Sequence, residues 1–278
     1  MKRILSLGYS TCPNDTFVFH AMTHGLIDTR DLDFKVVHND VEKLNRMAKE
    51  RVLDISKLSF AALGRLNPDY GLLRSGSALG RGCGPLLVAR PECDLTGIDA
   101  HPVAIPGRWT TANLLLHLYA QKPLNVVPKV FDEIMPLVAS GEFKYGVIIH
   151  EGRFTYGKYG LNALLDMGNW WERETGLPIP LGCIAIRRAL GPSLAQRVDT
   201  VVAQSVAHAF DHPADSRAYV QQHAREMDAA VIDQHIDLYV NKQTGNLDAG
   251  GEAAVRLLLD KACDLKVIPK LEQPLFAY

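Results

Sequence analysis

The feature that most constrains this chain is an alternation of short apolar runs with helical stretches, which begins twice along the sequence. The first series starts with the strand-like run Ile4–Tyr9, and a second starts with Pro102–Ile105. Strands that alternate with helices predict parallel sheets covered by helices. After the strand-like run Cys183–Ile186 the pattern becomes almost entirely helical. The periodic stretches of this tail are Leu194–Phe210, Arg217–His223, Ala229–Val240 and Glu252–Cys263.

Two α/β series and a helical tail predict a two-lobed α/β fold in which the chain crosses between lobes and returns. We assign residues 1–90 and 188–278 to a larger lobe and residues 91–187 to a smaller one. The expected crossing segments are Pro91–His101 and Arg187–Pro192, because each contains proline, glycine and charged residues. Ligands of such proteins bind in the cleft, beyond the carboxyl ends of the strands.

Charge and cysteine content exclude several classes of protein. The chain has 278 residues, with 30 Lys and Arg against 31 Asp and Glu, so nucleic acid or an anionic membrane is not the expected partner. Its five cysteines are scattered without a CxxC pair, which argues against a disulfide framework and against a zinc site.

The amino-terminal residues predict a first strand rather than a signal peptide. The basic residues Lys2 and Arg3 are followed by a short apolar run that ends at Gly8. No window approaches the ~18 apolar residues that would span a bilayer. The expected compartment is the cytosol, and the expected state is a monomer or homodimer.

Small polar residues follow three of the predicted strands at the start of a helix. The segments are Ser10–Asp15, which includes Asn14, then Ser56–Ser59, and then Pro106–Thr111. Helix capping explains such residues at any single position. Three segments of this kind favour a site where hydroxyl and backbone N–H groups bind a carboxylate or carbonyl oxygen. Asn14 and Asp15 are therefore candidate substrate-binding residues.

A fourth strand end places a histidine directly after the apolar run Tyr145–Ile149. Imidazole has an ordinary pKa of about 6.5, which suits proton abstraction near neutral pH. The alternative is a structural histidine that is hydrogen-bonded at a strand end. Glu151, Arg153 and Tyr156 surround His150 in sequence, and this polar neighbourhood favours the functional interpretation.

Other chemistry-bearing residues give weaker signals. No HxxxH pair or carboxylate at ligand spacing accompanies the remaining histidines, so no metal site is expected. Cys12 and Cys83 lie in polar loops where a nucleophile could act, but no base accompanies either thiol in sequence. The glycine-rich segment Gly80–Gly84 lacks the Lys-Ser/Thr of a phosphate-binding loop and predicts a turn at the cleft edge.

Several motifs in order along nearly the whole chain resemble those of the 1,4-dihydroxy-6-naphthoate synthase family. These enzymes act on cyclic dehypoxanthine futalosine in the futalosine route to menaquinone. The motifs are CPNDTF at Cys12–Phe17, KLS at Lys57–Ser59, LRSG at Leu73–Gly76 with ALGRG at Ala78–Gly82, PGR at Pro106–Arg108 with Thr110 and Thr111, IIHE at Ile148–Glu151 with RFTY at Arg153–Tyr156, and Pro178–Gly182.

The resemblance implies a fold like that of periplasmic solute-binding proteins, used here by an enzyme. It implies that His150 is the proton acceptor and that two stretches contact the substrate. Those stretches comprise Ser56, Lys57 and Leu58, with the adjacent Ser59, and Thr110 with Thr111. The implied substrate is a spirocyclic small molecule that carries a benzoate carboxylate and a ketone.

The implied reaction is an elimination that needs no cofactor. His150 would remove a proton activated by the carbonyl, and the enolate would expel the sugar-derived fragment as the naphthalene diol becomes aromatic. Two other hypotheses stay open: a non-catalytic binding protein for a small carboxylate solute, and the sister chorismate dehydratase. The sister enzyme is not expected to carry the His-Glu-x-Arg-Phe-Thr-Tyr run.

Overall fold

The computed structural model describes residues 2–225 and 228–278, and it contains two β-sheets with helices packed around them. The first sheet has the order β2-β1-β3-β11-β4, with β5 paired to β11. Its strands are β1 (Arg3–Tyr9), β2 (Leu32–His38), β3 (Ile55–Ser59), β4 (Tyr70–Leu72), β5 (Ala78–Gly80) and β11 (Ile179–Arg187). β2, β1 and β3 run parallel, whereas β11 is antiparallel to its neighbours.

The second sheet has the order β10-β6-β9-β7-β8. Its strands are β6 (Leu86–Ala89), β7 (Val103–Ile105), β8 (Val126–Pro128), β9 (Tyr145–Ile148) and β10 (Asn162–Asp166). β8, β7 and β9 are parallel, whereas β6 and β10 are antiparallel additions. Both sheets are therefore mixed, and the expectation of parallel sheets was correct only for three neighbouring strands in each.

Twelve α-helices cover the sheets in the described part of the chain. They are α1 (Pro13–Thr23), α2 (Val41–Lys49), α3 (Phe60–Arg65), α4 (Thr111–Ala120), α5 (Ile134–Ala139), α6 (Gly152–Thr155), α7 (Met167–Thr175), α8 (Pro192–Asp211), α9 (Arg217–His223), α10 (Ala229–Tyr239), α11 (Lys242–Gly245) and α12 (Ala249–Asp264). Across residues 2–225 and 228–278, no helix is long and apolar enough to cross a bilayer.

The sheets place the chain crossings elsewhere than the segments 91–101 and 187–192. β6 ends before Pro91 but pairs with β9 in the second sheet, so the chain crosses between Gly80 and Leu86. β11 pairs with β3 in the first sheet, so the chain returns between Asp166 and Ile179. The lobe boundaries 1–90, 91–187 and 188–278 were therefore wrong for these two strands. Both are short apolar runs, and such a run does not reveal which sheet it joins.

The helical tail returns to the first sheet and completes its core. α8 packs along α1, and buried side chains such as Phe19 and Val202 belong to one apolar cluster with Leu7 of β1. Burial of such side chains stabilises each by roughly 1.5–3 kcal/mol relative to exposure. This cluster supports β1 on the side of the tail, and residues that follow β1 and end β3 line a cavity together with residues that follow β9 of the second sheet.

Candidate functional site

Polar residues from both sheets meet around a cavity of about 80 Å³ at the ends of β1, β3 and β9. Seven of the nine predicted site residues line it: Asn14, Asp15, Lys57, Ser59, Thr110, Thr111 and His150. The carboxyl ends of parallel strands meet at one edge of a sheet, which explains why segments far apart in sequence converge here.

The other two predicted residues, Ser56 and Leu58, do not line the cavity. Both are fully buried, and the Ser56 hydroxyl donates to the backbone carbonyl of Lys57 over 3.0 Å. Successive side chains of a strand point to opposite faces, so Lys57 and Ser59 face the cleft while Ser56 and Leu58 face the interior. Their role as substrate contacts, which the resemblance implies, stays a prediction.

Asp15 and Lys57 form a buried ion pair in the wall of the cavity. The Lys57 Nζ lies 2.8 Å from the Asp15 Oδ1, and their side chains are only 8% and 2% exposed. The Asp15 carboxylate also accepts hydrogen bonds from the amide and hydroxyl of Ser10 and from the side-chain amide of Asn14. A buried charge needs such partners because desolvation disfavours it. These charges are therefore held in place before any ligand binds.

Asn14 connects Asp15 by hydrogen bonds to His235 of the helical tail. Its amide nitrogen donates to Asp15 over 2.9 Å, so its oxygen faces the His235 Nε2 at 3.0 Å. The Nε2 of His235 is then the protonated nitrogen, because the Asn14 oxygen can only accept. The bare Nδ1 is buried without a hydrogen-bond partner. Burial lowers the pKa of His235 well below its ordinary value, so this ring is neutral at physiological pH.

The hydroxyl groups of Thr110 and Thr111 are already engaged within the protein. Thr110 donates to the Gly107 carbonyl and accepts from the Asn113 N–H as the amino-terminal cap of α4. Thr111 donates to the Leu181 carbonyl of β11 over 2.7 Å. These residues therefore offer the cavity the backbone N–H groups of Thr111 and Ala112, which have no acceptor in the described ranges, rather than hydroxyl donors.

His150 lies in the turn between β9 and α6, with a backbone φ of +57°. Its ring contacts Phe131 edge-on at 5.4 Å and stacks on His235 at 6.2 Å between centroids. The imidazole makes no hydrogen bond to any residue of the described ranges. Burial lowers the pKa of His150, while the negative charge of the neighbouring Glu151 opposes that shift. The imidazole of His150 is therefore neutral at physiological pH, and its ring nitrogens are available to a ligand.

Glu151 follows His150 and is also incompletely paired. Its Oε2 is buried without a hydrogen-bond partner in residues 2–225 and 228–278. The next helix is anchored by Arg153, which donates to the Gly84 carbonyl at 2.9 Å and pairs with Asp166 at 2.5 Å. The guanidinium of Arg153 thus fixes the turn, whereas the side chains of His150 and Glu151 do not take part in that anchoring.

The remaining candidates named from the sequence do not supply a reactive group. Cys83 lines the cavity, but burial raises the pKa of its thiol to about 12, so it stays protonated. Cys12 borders an adjacent hollow beside His150, and burial raises its pKa as well. The Arg108 guanidinium donates to the Val126 carbonyl over 3.2 Å and does not line the cavity.

Two site residues were missed because they come from the helical tail. Tyr239 ends α10 and lines the cavity, and its ring is tilted against that of His235 with 4.6 Å between centroids. Its hydroxyl makes no hydrogen bond within the described ranges, and burial raises its pKa, so the phenol remains a neutral donor. Both residues follow the helical periodicity of the tail, which predicts burial and carries no signal of a site.

No group of three or more His, Cys, Asp or Glu side chains could hold a metal ion in the part of the chain that the structure describes. The cavity instead offers hydrogen-bonding groups and apolar surface. It combines the His150 imidazole, hydroxyl and N–H groups, and apolar side chains such as those of Val41, Ile149 and Leu181.

Solved structures identify the class of protein to which this architecture belongs. The chain is similar to the alkanesulfonate-binding protein of Xanthomonas axonopodis pv. citri, with a TM-score of 0.71 over 98% of this chain and 96% of that one, at 15% identity. At that identity the likeness defines the fold alone. The fold is that of the two-lobed periplasmic solute-binding proteins, which confirms the predicted fold class.

Sequence comparison then identifies the family. Residues 5–264 match the family model described as menaquinone biosynthesis. The chain is 46% identical over 272 residues to the 1,4-dihydroxy-6-naphthoate synthase of Thermus thermophilus, covering 98% of both chains. It is 45% identical over 280 residues to the enzyme of the same name from Streptomyces coelicolor, covering 99% of this chain and 98% of that one. The chain belongs to the menaquinone biosynthesis family and is an enzyme, which confirms the resemblance drawn from the motifs.

Proposed function

We propose that the protein is a lyase that converts cyclic dehypoxanthine futalosine to 1,4-dihydroxy-6-naphthoate, with His150 as the proton acceptor. The observation that carries the proposal is the neutral imidazole of His150, which makes no hydrogen bond in the described ranges. It lines the same cavity as the hydrogen-bond donors Lys57 and Ser59. The names of the two relatives support the product, and the site geometry supports the base.

His150 meets two requirements of a general base. Burial lowers its pKa, so the imidazole is unprotonated at neutral pH. No protein hydrogen bond occupies its nitrogens in residues 2–225 and 228–278, so the ring nitrogen that carries no hydrogen is free to accept a proton from a substrate C–H. Removal of a proton next to the ketone yields an enolate, and aromatisation of the bicyclic product favours expulsion of the sugar-derived fragment.

The opposite side of the cavity supplies donors for the negative charges of the substrate. The Ser59 hydroxyl and the N–H groups of the first turn of α4 are placed to bind the carboxylate. The neutral phenol of Tyr239 is a donor for the enolate oxygen, because its raised pKa keeps the proton in place. The substrate is therefore a small molecule with a carboxylate, and its binding uses groups that are already oriented.

The cavity of about 80 Å³ is much smaller than the roughly 300–1,000 Å³ of typical ligand pockets. The two lobes are thus close together in this structure, and a bicyclic substrate requires them to separate on entry. Closure afterwards would exclude water from the enolate and strengthen each charged contact.

The test is to incubate the purified protein with cyclic dehypoxanthine futalosine and to follow release of the naphthoate by chromatography. Chorismate is the parallel substrate, because its dehydration would indicate the sister enzyme. Release of the naphthoate with no change in chorismate supports the proposal. Binding of the futalosine derivative without turnover would show a binding protein instead, and dehydration of chorismate would show the sister activity.

A further inference from the structure

Asn45 of α2 connects the end of β3 with the loop before α4, although it does not itself line the cavity. The side chain is fully buried, with 0% exposure. Its Oδ1 accepts the backbone N–H of Ser59 over 3.0 Å. Its Nδ2 donates to the Ser59 hydroxyl oxygen at 3.2 Å and to the Trp109 carbonyl at 3.5 Å. One amide therefore holds β3 of the first sheet and the loop before α4.

The bonds of Asn45 determine which role the Ser59 hydroxyl can play. The Ser59 N–H must be accepted, so the oxygen of the Asn45 amide faces it and the nitrogen faces the hydroxyl. The hydroxyl oxygen thus accepts a hydrogen bond, and its own proton points elsewhere. Ser59 does not cap α3 with its side chain, and its hydroxyl has no acceptor within the described ranges. The proton is therefore available to a ligand in the cavity that Ser59 lines.

The same helix holds the loop on the other side of the binding surface. The Glu42 carboxylate accepts the Trp109 N–H over 3.1 Å. Gly107, with φ +156°, lies so close to Glu42 that an added Cβ would be 2.4 Å from its carboxylate. Through Glu42 and Asn45, α2 keeps the first turn of α4 beside Ser59.

We propose that Asn45 is a positioning residue for carboxylate recognition: it presents the Ser59 hydroxyl as a donor and holds it beside the amino terminus of α4. This inference rests on the proposed function, in which these groups bind the carboxylate of the substrate. Asn45 acts by orienting these groups, since it does not itself line the cavity.

The test measures binding of two ligands, 1,4-dihydroxy-6-naphthoate and the neutral 1,4-dihydroxynaphthalene, by calorimetry. In Asn45→Asp the near-isosteric side chain still accepts the Ser59 N–H, but its second oxygen draws the hydroxyl proton away from the cavity. We expect affinity for the naphthoate to fall about 10- to 100-fold, the worth of a hydrogen bond to a charged group. Affinity for the neutral diol should change less than about threefold, and KM should rise more than kcat falls.

A double-mutant cycle separates positioning from charge repulsion. If Asn45 acts through Ser59, Asn45→Asp should add little to the loss caused by Ser59→Ala, whereas repulsion by the new carboxylate would add in full and would overturn the proposal. Asn45→Ala replaces Asn45→Asp in the same cycle if the latter does not fold. The matched control is Asn67→Asp, since Asn67 is also buried, bonds to Gln273 and does not line the cavity. This variant should leave the ligand preference unchanged.

A failure of the proposed lyase function and a failure of the proposed role of Asn45 would give different results. Wild-type protein that neither releases nor binds the naphthoate refutes the proposed function, and this inference with it. Wild-type protein that does both, with an Asn45→Asp variant that still prefers the naphthoate as strongly, refutes the role of Asn45 alone.

Discussion

The two sides of the cleft differ in how completely their polar groups are paired. We call Ser10, Asn14, Asp15 and Lys57 the paired wall, and His150 with Glu151 the open wall. In the paired wall, Asp15 accepts four hydrogen bonds, one of them from Lys57 at 2.8 Å. In the open wall, His150 makes no hydrogen bond within the described ranges, and the Oε2 of Glu151 is buried without a partner.

Because of this difference, the side chains of the paired wall are fixed in position, whereas those of the open wall are free to react with a ligand. A paired charge is fixed in position, and it contributes to folding as well as to the electrostatic field of the site. An unpaired imidazole keeps its hydrogen-bonding capacity for a ligand, and the strained φ of +57° at His150 is typical of functional turns. Changes to the paired wall should therefore act mainly on stability, and changes to the open wall mainly on turnover.

The largest expected effect is on turnover, in His150→Asn. Removal of a general base should lower kcat about 10²- to 10⁴-fold, as measured by the initial rate of naphthoate release. Asparagine tolerates a positive φ, so the turn should persist and the melting temperature should change little. The exposed His24→Asn is the control and should keep full activity. Undiminished turnover in His150→Asn would remove His150 as the base.

The next effect is on stability, in Lys57→Met. Loss of the cation leaves Asp15 buried with an uncompensated charge, which should lower the free energy of unfolding in urea by about 3–5 kcal/mol. Arg217→Met breaks an ion pair whose side chains are 58% and 53% exposed, and it should cost at most about 1 kcal/mol. Equal losses in the two variants would contradict the distinction between a paired wall and an ordinary surface.

A smaller effect is the pH dependence of stability. Burial lowers the pKa of both His150 and His235, so below pH 6.5 the unfolded chain binds protons that the folded chain does not. The free energy of unfolding should therefore fall as the pH decreases below 6.5, by up to about 1.4 kcal/mol per pH unit for each histidine. His150→Asn removes one contribution and should give a shallower slope between pH 6.5 and 5.5. A slope identical to that of the wild type would show that His150 is not held neutral.

The smallest effect should appear in Glu151→Gln. The charge of Glu151 raises the pKa of His150 against the effect of burial, so its removal should lower that pKa further. The acidic limb of the kcat/KM profile should then move to lower pH, while the exposed Glu133→Gln should leave the profile unchanged. A limb that stays in place or moves to higher pH would show that Glu151 does not act on His150 through its charge.

Much of the fold follows from local pattern. The tail helix predicted over Arg217–His223 has those bounds in the structure, and the one predicted over Ala229–Val240 ends one residue earlier. Periodicity of apolar residues determines such helices locally. Local pattern does not determine which sheet a strand joins. The strands β6 and β11 were assigned to the wrong lobe, because their partner strands lie far along the chain.

The residues of the candidate site were also predicted in large part from the sequence, but their hydrogen bonds were not. The ends of β1, β3 and β9 were identified from polar residues after apolar runs, and seven of the nine named residues line the cavity. The hydroxyls of Thr110 and Thr111, expected to face a ligand, instead bond to backbone carbonyls. Hydrogen-bond partners depend on which chain segments become neighbours, and sequence order does not state this.

The order of the helices and strands, and the polar residues that follow each strand, can be read from the amino-acid sequence, because both follow from local periodicity and chemistry. The sequence also placed His150 directly after a buried strand. Which side of the cleft has its polar groups paired depends on the folded chain, since the hydrogen bonds join residues as distant in sequence as Asn14 and His235. The sequence also gives no sign that Asn45 bonds to Ser59 and orients its hydroxyl in the cleft.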